Sequence, residues 1–219
     1  MRDTTVKTSI LRRLKAKAEL GVWTPVDFLD MGKRDAVDKA LQRLTQDDQI
    51  QRIDRGLYYK PRLNPLTGKQ TNPDYRKIVD ALARRDQSRM MIDGMTAAND
   101  LGLSDAVPAK VVIHTDARLT PLRLGNIDIH FKTTAPSKLY WAGRPAMKVV
   151  QALHWLRDTL PRDKQQIIRR LRVILHDPKH GKSIRDDLQN GLPTLPAWMQ
   201  ALVREMLQDR PSSSEPQGC

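Results

Sequence analysis

The chain has 219 residues, of which 39% are hydrophobic and 29% are charged, and its formal net charge is +13. This composition is typical of a soluble globular protein, and the length allows one large or two small domains. The positive charge favours a polyanionic partner, usually nucleic acid, although a solvated basic surface would give the same excess.

Two further features exclude several classes of protein. No stretch approaches the roughly 20 continuous apolar residues of a membrane span, and Arg12 and Arg13 interrupt the first apolar segment, so no secretory signal is predicted. The single cysteine, Cys219, cannot form an internal disulfide or a cysteine zinc site. We therefore expect a cytoplasmic protein with no membrane partner.

Residues 1–62 begin with an amphipathic helix. Thr4 or Thr5 is expected to cap it, an apolar stripe runs from Val6 to Ala18, and Gly21 ends it. Its opposite face is basic.

A second, short helix is predicted to start at Thr24, with Pro25 in its first position. We expect Val26, Phe28 and Leu29 to face inward before the helix breaks at Gly32.

The third helix of this block is predicted over residues 33–46. Its buried stripe comprises Ala36, Val37, Ala40, Leu41 and Leu44. The polar positions around the remaining face are Lys33, Arg34, Asp35, Asp38, Lys39, Gln42 and Arg43.

A β-hairpin follows, with strands over Ile50–Ile53 and Leu57–Lys60 and a turn at Asp54–Gly56. Three helices followed by such a hairpin predict a winged helix-turn-helix. Its third helix enters the major groove of operator DNA, and its wing contacts phosphates or the minor groove. In the wing, the candidate DNA-binding residues are Arg52, Arg55, Gly56, Tyr58 and Lys60.

A structural role for this wing stays open, because winged helices also serve as protein-interaction modules. Asp35 and Asp38 would repel phosphates from the presumed DNA face. They would instead accept hydrogen bonds from cytosine, or hold Lys39 and Arg34 in place as neighbours four residues apart.

The remainder of the chain divides into four parts. Residues 63–73 have the composition of a linker, and residues 209–219 that of a disordered tail. Residues 74–160 are predicted to form a small α+β domain, and residues 161–208 a helical extension. In the extension, Arg169, Arg170 and Arg172 mark a basic helix face, which is either a solvated surface or a second contact for nucleic acid or a toxin.

The predicted elements of the α+β domain alternate between helices and strands. They are a helix over 75–85, a strand over 90–92, a helix over 96–101, a strand over 111–113, a hairpin over 119–124 and 127–132, and a helix over 146–156. The four tryptophans are scattered and are expected in the core rather than on a stacking platform. The predicted fold class is therefore α+β.

No catalytic, metal or cofactor pattern is found. His176 and His180 are four apart, but Pro178 disfavours a regular helix between them. The sequence Gly181-Lys182-Ser183 lacks the earlier glycine of a phosphate-binding loop. Without a nucleophile elbow or an Asp-x-Asp pair, we expect neither an enzyme nor a cofactor.

Several segments together resemble a known family. The stretches VWTPVDFLDMGKRDAVDKALQRL, DRGLYYKP, AANDLGL and GNIDIHFK are similar to AbiEi-type antitoxins, in register over roughly residues 5–157. The resemblance implies a winged helix that represses the promoter of its own toxin–antitoxin operon. It also implies a C-terminal domain that counteracts a nucleotidyltransferase-like toxin, directly or indirectly, in phage defence.

The sequence thus predicts an antitoxin and autorepressor whose partners are double-stranded operator DNA and a cognate toxin. It is expected to be a monomer, or a weak dimer that pairs on DNA. The alternative is an interaction or regulatory module with a structural winged helix and no operator binding.

Overall fold

The computed structural model describes residues 2–16, 21–64, 66, 68–106, 108, 110–125 and 127–208, with the side chains of residues 2–5 left out. The chain mixes helices and strands, which confirms the α+β class. It divides into two compact units, Met1–Met90 with Ala109–Leu139 and Met91–Pro108 with Tyr140–Cys219. Among the helices that are described, none is long and apolar enough to cross a membrane.

The first unit opens with helices around a small sheet. Its elements are α1 (Arg2–Ala16), β1 (Val22–Trp23), a 3₁₀ helix (Pro25–Phe28), α2 (Arg34–Gln46), β2 (Gln51–Asp54) and β3 (Leu57–Tyr59). The strands are antiparallel in the order β1-β3-β2. Residues from both helices, the 3₁₀ helix and β1 share one core cluster, which includes Ile10, Leu14, Trp23, Phe28, Val37, Leu41 and Leu44.

Two expectations about the first helices are wrong. Thr4 and Thr5 do not cap α1, because the helix already begins at Arg2. Val26 and Leu29 do not face inward, since they are 46% and 44% exposed. The segment turns as a 3₁₀ helix with three residues per turn, so Pro25 and Phe28 share its buried face instead. The expected end of the first helix, including Ala18, falls among residues that are not described.

The rest of the first unit contains a second hairpin, a helix and further strands. These are β4 (Arg62–Leu63), β5 (Gln70–Thr71), α3 (Tyr75–Asp86), the first residue of β6 (Met90–Ile92), β7 (Lys110–Thr115), β8 (Leu122–Leu124) and β9 (Ile127–Thr133). The last four strands are ordered β6-β7-β9-β8, and the boundary between the units runs through β6.

The predicted hairpin around residue 125 is confirmed, because β8 pairs antiparallel with β9 and Gly125 has a φ of +60°. Strand β9 also pairs in parallel with β7, in a register that sets Ile113 beside Phe131. Local sequence patterns do not reveal such a pairing between strands that are distant along the chain.

The second unit is helical, with α4 (Gly94–Asp100), α5 (Met147–Trp155), α6 (Leu160–Leu175), α7 (Gly181–Gly191) and α8 (Ala197–Leu207). Helices α4 and α5 pack closely at Gly94, where a Cβ atom would lie 2.5 Å from the Cβ of Trp155. Trp23 and Trp141 are buried as expected, but Trp155 is 43% exposed. The expectation of a core position for Trp155 is therefore wrong: the residue meets Gly94 through its Cβ, and much of its surface stays in solvent.

An ion pair with a buried carboxylate connects the chain ahead of α5 to α7. The carboxylate of Asp187 accepts hydrogen bonds from Arg144 Nε at 2.9 Å and from the Ala146 amide at 3.0 Å. The guanidinium of Arg144 also lies 4.4 Å from the ring centroid of Tyr140 and 5.2 Å from that of Trp141. Because Asp187 is almost fully buried, removing these donors would leave a buried carboxylate without partners.

The compact units do not follow the predicted ranges 1–62 and 74–160, because α3 and β7 to β9 group with the N-terminal segment. Within the first unit, Arg84 of α3 approaches Asp27 at 3.5 Å and donates to the carbonyl of Val22. The predicted linker 63–73 contains most of the β4–β5 hairpin. The predicted helical extension 161–208 contains nearly all of α6 and the whole of α7 and α8. The predicted tail 209–219 lies outside the described residues.

Candidate nucleic-acid interface

The packing of α2 fixes which of its side chains face solvent. Val37, Ala40, Leu41 and Leu44 are buried in the core cluster, as predicted, while Ala36 is only half-buried. The opposite face carries seven residues that the sequence had singled out, namely Lys33, Arg34, Asp35, Asp38, Lys39, Gln42 and Arg43. All are exposed except Asp38, which is half-buried.

Opposite charges are interleaved on this face. Arg34 Nε donates to Asp38 Oδ2 at 2.9 Å, one helical turn away. The predicted pairing of these two residues is thus confirmed. A pair this exposed contributes only about 0.3–0.5 kcal/mol to stability, so its main effect is to orient the Arg34 guanidinium.

The β2–β3 turn is built to hold Arg55 outward. Gly56 adopts a φ of +69°, a left-handed conformation that side chains with a Cβ rarely adopt. The carbonyl of Arg55 accepts a hydrogen bond from Arg85 Nη1 at 2.7 Å. The register shifts between Arg52 and Asp54, where Arg52 Nε donates to the Asp54 carbonyl at 3.2 Å. The backbone of the turn is therefore braced from α3, while the side chains of Arg52 and Arg55 stay exposed.

Tyr58 sits differently from the other candidates. It is half-buried and packs against the core cluster. Its cross-strand partners are Trp23 and Arg52, and residues directly opposite in an antiparallel pair share a face of the sheet. Tyr58 therefore supports the helical core from the sheet.

Lys60 belongs to a cluster of positive charge. The pKa of its ammonium group is lowered, first by partial burial and then by the nearby charges of Lys15 and Arg62. Lys15 lies in the last turn of α1 and Arg62 opens β4. The sequence identified Lys60 but neither neighbour; Arg62 is two residues away along the chain, whereas Lys15 is brought near only by the fold.

Strand β3 is joined to the second hairpin by neutral polar groups. The Tyr59 hydroxyl donates to Gln51 Oε1, and Gln51 Nε2 donates to Gln70 Oε1 at 2.7 Å. Burial raises the pKa of the Tyr59 hydroxyl, so the group stays protonated and acts as a donor at neutral pH.

No cluster of three or more histidine, cysteine or acidic side chains that could hold a metal is found in the part of the chain that is described. His176 follows the last residue of α6 and His180 precedes the first residue of α7, so they do not share a helix. Gly181, which opens the rejected phosphate-loop sequence, is buried where a Cβ atom would meet the Leu175 carbonyl oxygen at 2.3 Å. This contact accounts for glycine at that position.

Comparison with known proteins returns few matches. No curated protein matches the chain. Among solved structures, one match is the crystal structure of the RV2827C protein from Mycobacterium tuberculosis. It has 20% identity and a TM-score of 0.40, and the match covers 94% of this chain and 78% of that one. No fold or function is inferred from so distant a likeness. A family profile, described as the family of unknown function DUF6088, matches residues 9–181. Because that match spans well over half of the chain, the protein belongs to the DUF6088 family.

Proposed function

We propose that this protein is a sequence-specific DNA-binding autorepressor and the antitoxin of a toxin–antitoxin operon, and that residues 1–62 are its winged helix-turn-helix. The order of α1, β1, the 3₁₀ helix, α2 and the β2–β3 hairpin supports the winged helix, as does the pairing of β1 with β3. The single observation that carries the proposal is the exposed face of α2.

That face offers groups suited to a major groove. Lys39 and Gln42 are exposed one turn apart, and a glutamine amide reads adenine through paired hydrogen bonds. Lys33 and Arg34 stand at the N-terminal end of α2, where the helix dipole disfavours cations. A DNA phosphate at that end would be favoured both by the dipole and by the two side chains.

The wing and its surroundings would contact the backbone. Arg52 and Arg55 project from the β2–β3 hairpin, and the cluster of Lys60, Lys15 and Arg62 holds three like charges together. A phosphate near this cluster would relieve the mutual repulsion. In this proposal Tyr58 and Gly56 act by shaping the wing, and Asp35 and Asp38 discriminate among bases.

The antitoxin half of the proposal comes from the resemblance to AbiEi-type proteins, with residues beyond the winged helix counteracting a nucleotidyltransferase-like toxin. Operator binding would place the protein in the cytoplasm with its DNA. The chain would bind as a monomer or as a weak dimer that pairs on repeated sites. No catalytic step is part of this function.

Operator binding is tested by fluorescence anisotropy with a duplex from upstream of the gene and a shuffled duplex of the same composition. A triple variant, Arg34→Glu, Lys39→Glu and Arg55→Glu, should bind the upstream duplex about a hundredfold more weakly or worse, because it loses phosphate and base contacts. The matched control reverses Arg118, Lys132 and Lys138, which are exposed elsewhere in the first unit. Equal wild-type affinity for both duplexes at moderate salt would contradict sequence-specific binding.

The antitoxin half predicts a nucleotidyltransferase-like reading frame beside the gene, and it is tested by coexpressing the chain with that frame. The chain should restore growth that the partner arrests, and the triple variant should still do so. If the triple variant still represses the promoter of its own operon, the N-terminal module is structural and the chain is an interaction module. Growth arrest that persists with the wild-type chain rejects the antitoxin role.

A further inference from the structure

Helix α6 in the second unit presents a basic stripe whose position is fixed by packing. Ile167, Ile168, Leu171 and Leu175 are buried on one side of the helix. Residues spaced three and four apart therefore line up on the other side. We call this the α6 stripe, and its members are Arg162, Gln165, Arg169, Arg172, Val173 and His176.

Positive charge dominates this helix. Its sequence holds five arginines or lysines and one acidic residue, Asp163. Asp163 is engaged by Arg162 at 3.1 Å, and Glu205 of α8 is engaged by Lys164 at 2.7 Å. Asp163 and Glu205 thus each already have a cation, and Arg169 and Arg172 keep the middle of the stripe positively charged.

The arginines in the middle of the stripe are arranged for a ligand. Arg172 Nη2 donates to the Glu205 main-chain carbonyl at 3.0 Å, which fixes the direction of its guanidinium. Arg169 is exposed and has no hydrogen-bond or ion-pair partner among the residues described. Both line a groove of about 730 Å³ together with His176, Gln208 and Glu205, whose carboxylate is paired with Lys164.

We propose that the α6 stripe is a second contact for duplex DNA, one that binds the phosphate backbone without reading sequence. Guanidinium groups match phosphate oxygens in geometry as well as charge. The stripe runs over about 20 Å of helix, long enough to meet several phosphates. This contact does not depend on sequence reading by α2.

Other occupants fit the stripe less well. It contains no phenylalanine, tyrosine or tryptophan on which the bases of a single strand could stack. Val173, 71% exposed, is its one exposed apolar residue, whereas a protein interface needs a buried apolar or aromatic centre. The backbone of a duplex requires neither feature.

The test is the full chain carrying Arg169→Glu, titrated against the upstream and shuffled duplexes over a series of salt concentrations. Loss of one phosphate contact should weaken binding to both duplexes about eightfold at 0.1 M salt and lower the salt slope by about 0.9. Arg169→Lys, which keeps the charge, should retain most of the affinity. Arg118→Glu is the matched control for the charge change.

Several outcomes would overturn the assignment. One is an affinity of Arg169→Glu equal to that of Arg118→Glu. A loss confined to the upstream duplex is another. Arg162→Glu, at the other end of the stripe, gives the same readout if Arg169→Glu does not melt like the wild type. The affinity for the shuffled duplex tests the contact by α6, whereas the ratio of the affinities for the two duplexes tests sequence recognition by α2. The two proposals can therefore fail independently.

Discussion

Helices α2 and α6 are both basic and amphipathic, yet their exposed faces differ in the arrangement of charge. On α2, three cations are mixed with two acidic residues, and Arg34 is paired with Asp38. On α6, five cations accompany a single acidic residue, and Arg169 is unpaired among the described residues. A face with interleaved acids and an amide can distinguish bases, because wrong contacts are penalised. A face dominated by cations favours any phosphate backbone about equally. Net charge therefore says less about selectivity than the order of charges along a helix.

The largest expected effect is on stability, and it compares buried leucines on the two helices. Leu41, on the buried face of α2, and Leu171, on the buried face of α6, are both 0% exposed. Truncating either to Ala should lower the free energy of unfolding by about 2–5 kcal/mol, through lost burial and a residual cavity. Denaturant titrations of Leu41→Ala and Leu171→Ala measure this. A loss of stability below about 1 kcal/mol in one variant would mean that the helix carrying that leucine is loosely packed.

The next effect separates recognition of bases from binding of the phosphate backbone. Gln42→Ala on α2 should reduce the preference for the upstream duplex by about 1–3 kcal/mol, the value of one bidentate base contact. Binding to the shuffled duplex should hardly change, since the amide carries no charge. The matched change on α6 is Gln165→Ala, which should leave the preference intact. Equal effects of the two substitutions on the preference would erase the proposed difference between the helices.

A smaller effect distinguishes the second unit by its response to acid. Partial desolvation lowers the pKa of His154 below its ordinary value of 6.5 although the residue stays exposed, and the charge of Arg157 lowers it further. The unfolded chain therefore takes up a proton before the folded one, so this contribution to stability is lost as the pH falls through about 6.5. Thermal melts of the wild type and His154→Gln between pH 8 and about 5 should diverge in the acid range, the variant losing less stability. Parallel curves would show that His154 is solvated in both states.

The smallest effect is that of the Arg34–Asp38 pair on α2. A double-mutant cycle with Arg34→Ala and Asp38→Ala should give a coupling of about 0.3–0.5 kcal/mol that shrinks at high salt. Because Asp38 competes with a phosphate for Arg34, Asp38→Ala should strengthen binding to the shuffled duplex while reducing discrimination. Unchanged affinity for the shuffled duplex would place Arg34 away from the DNA.

What the sequence predicted well depends on local periodicity. Helix α2 and the β2–β3 hairpin follow directly from the spacing of Leu41 and Leu44 and from the glycine turn at Gly56. The short segment after Pro25 was misread, because four residues are too few to distinguish a period of 3.0 from one of 3.6.

The remaining misses involve distance along the chain. The two-residue strands β4 and β5 carry no pattern of their own and lie in a segment with the composition of a linker. The parallel pairing of β7 with β9, the approach of Lys15 to Lys60 and the bond from Arg85 to the Arg55 carbonyl all join residues far apart in sequence. No local signal for these contacts exists, since they are created by the packing of the whole unit.

The bond from Arg85 to the Arg55 carbonyl has a consequence for the kinetics of recognition. Arg85 is itself held on α3 by two hydrogen bonds to Asp86, so the β2–β3 turn is anchored to a helix rather than left to fluctuate. A loop that is ordered before its ligand arrives loses little conformational entropy on binding, and a larger fraction of encounters finds it in the binding-competent conformation. Removing this anchor, as in Arg85→Ala, would then slow productive association more than it would hasten release.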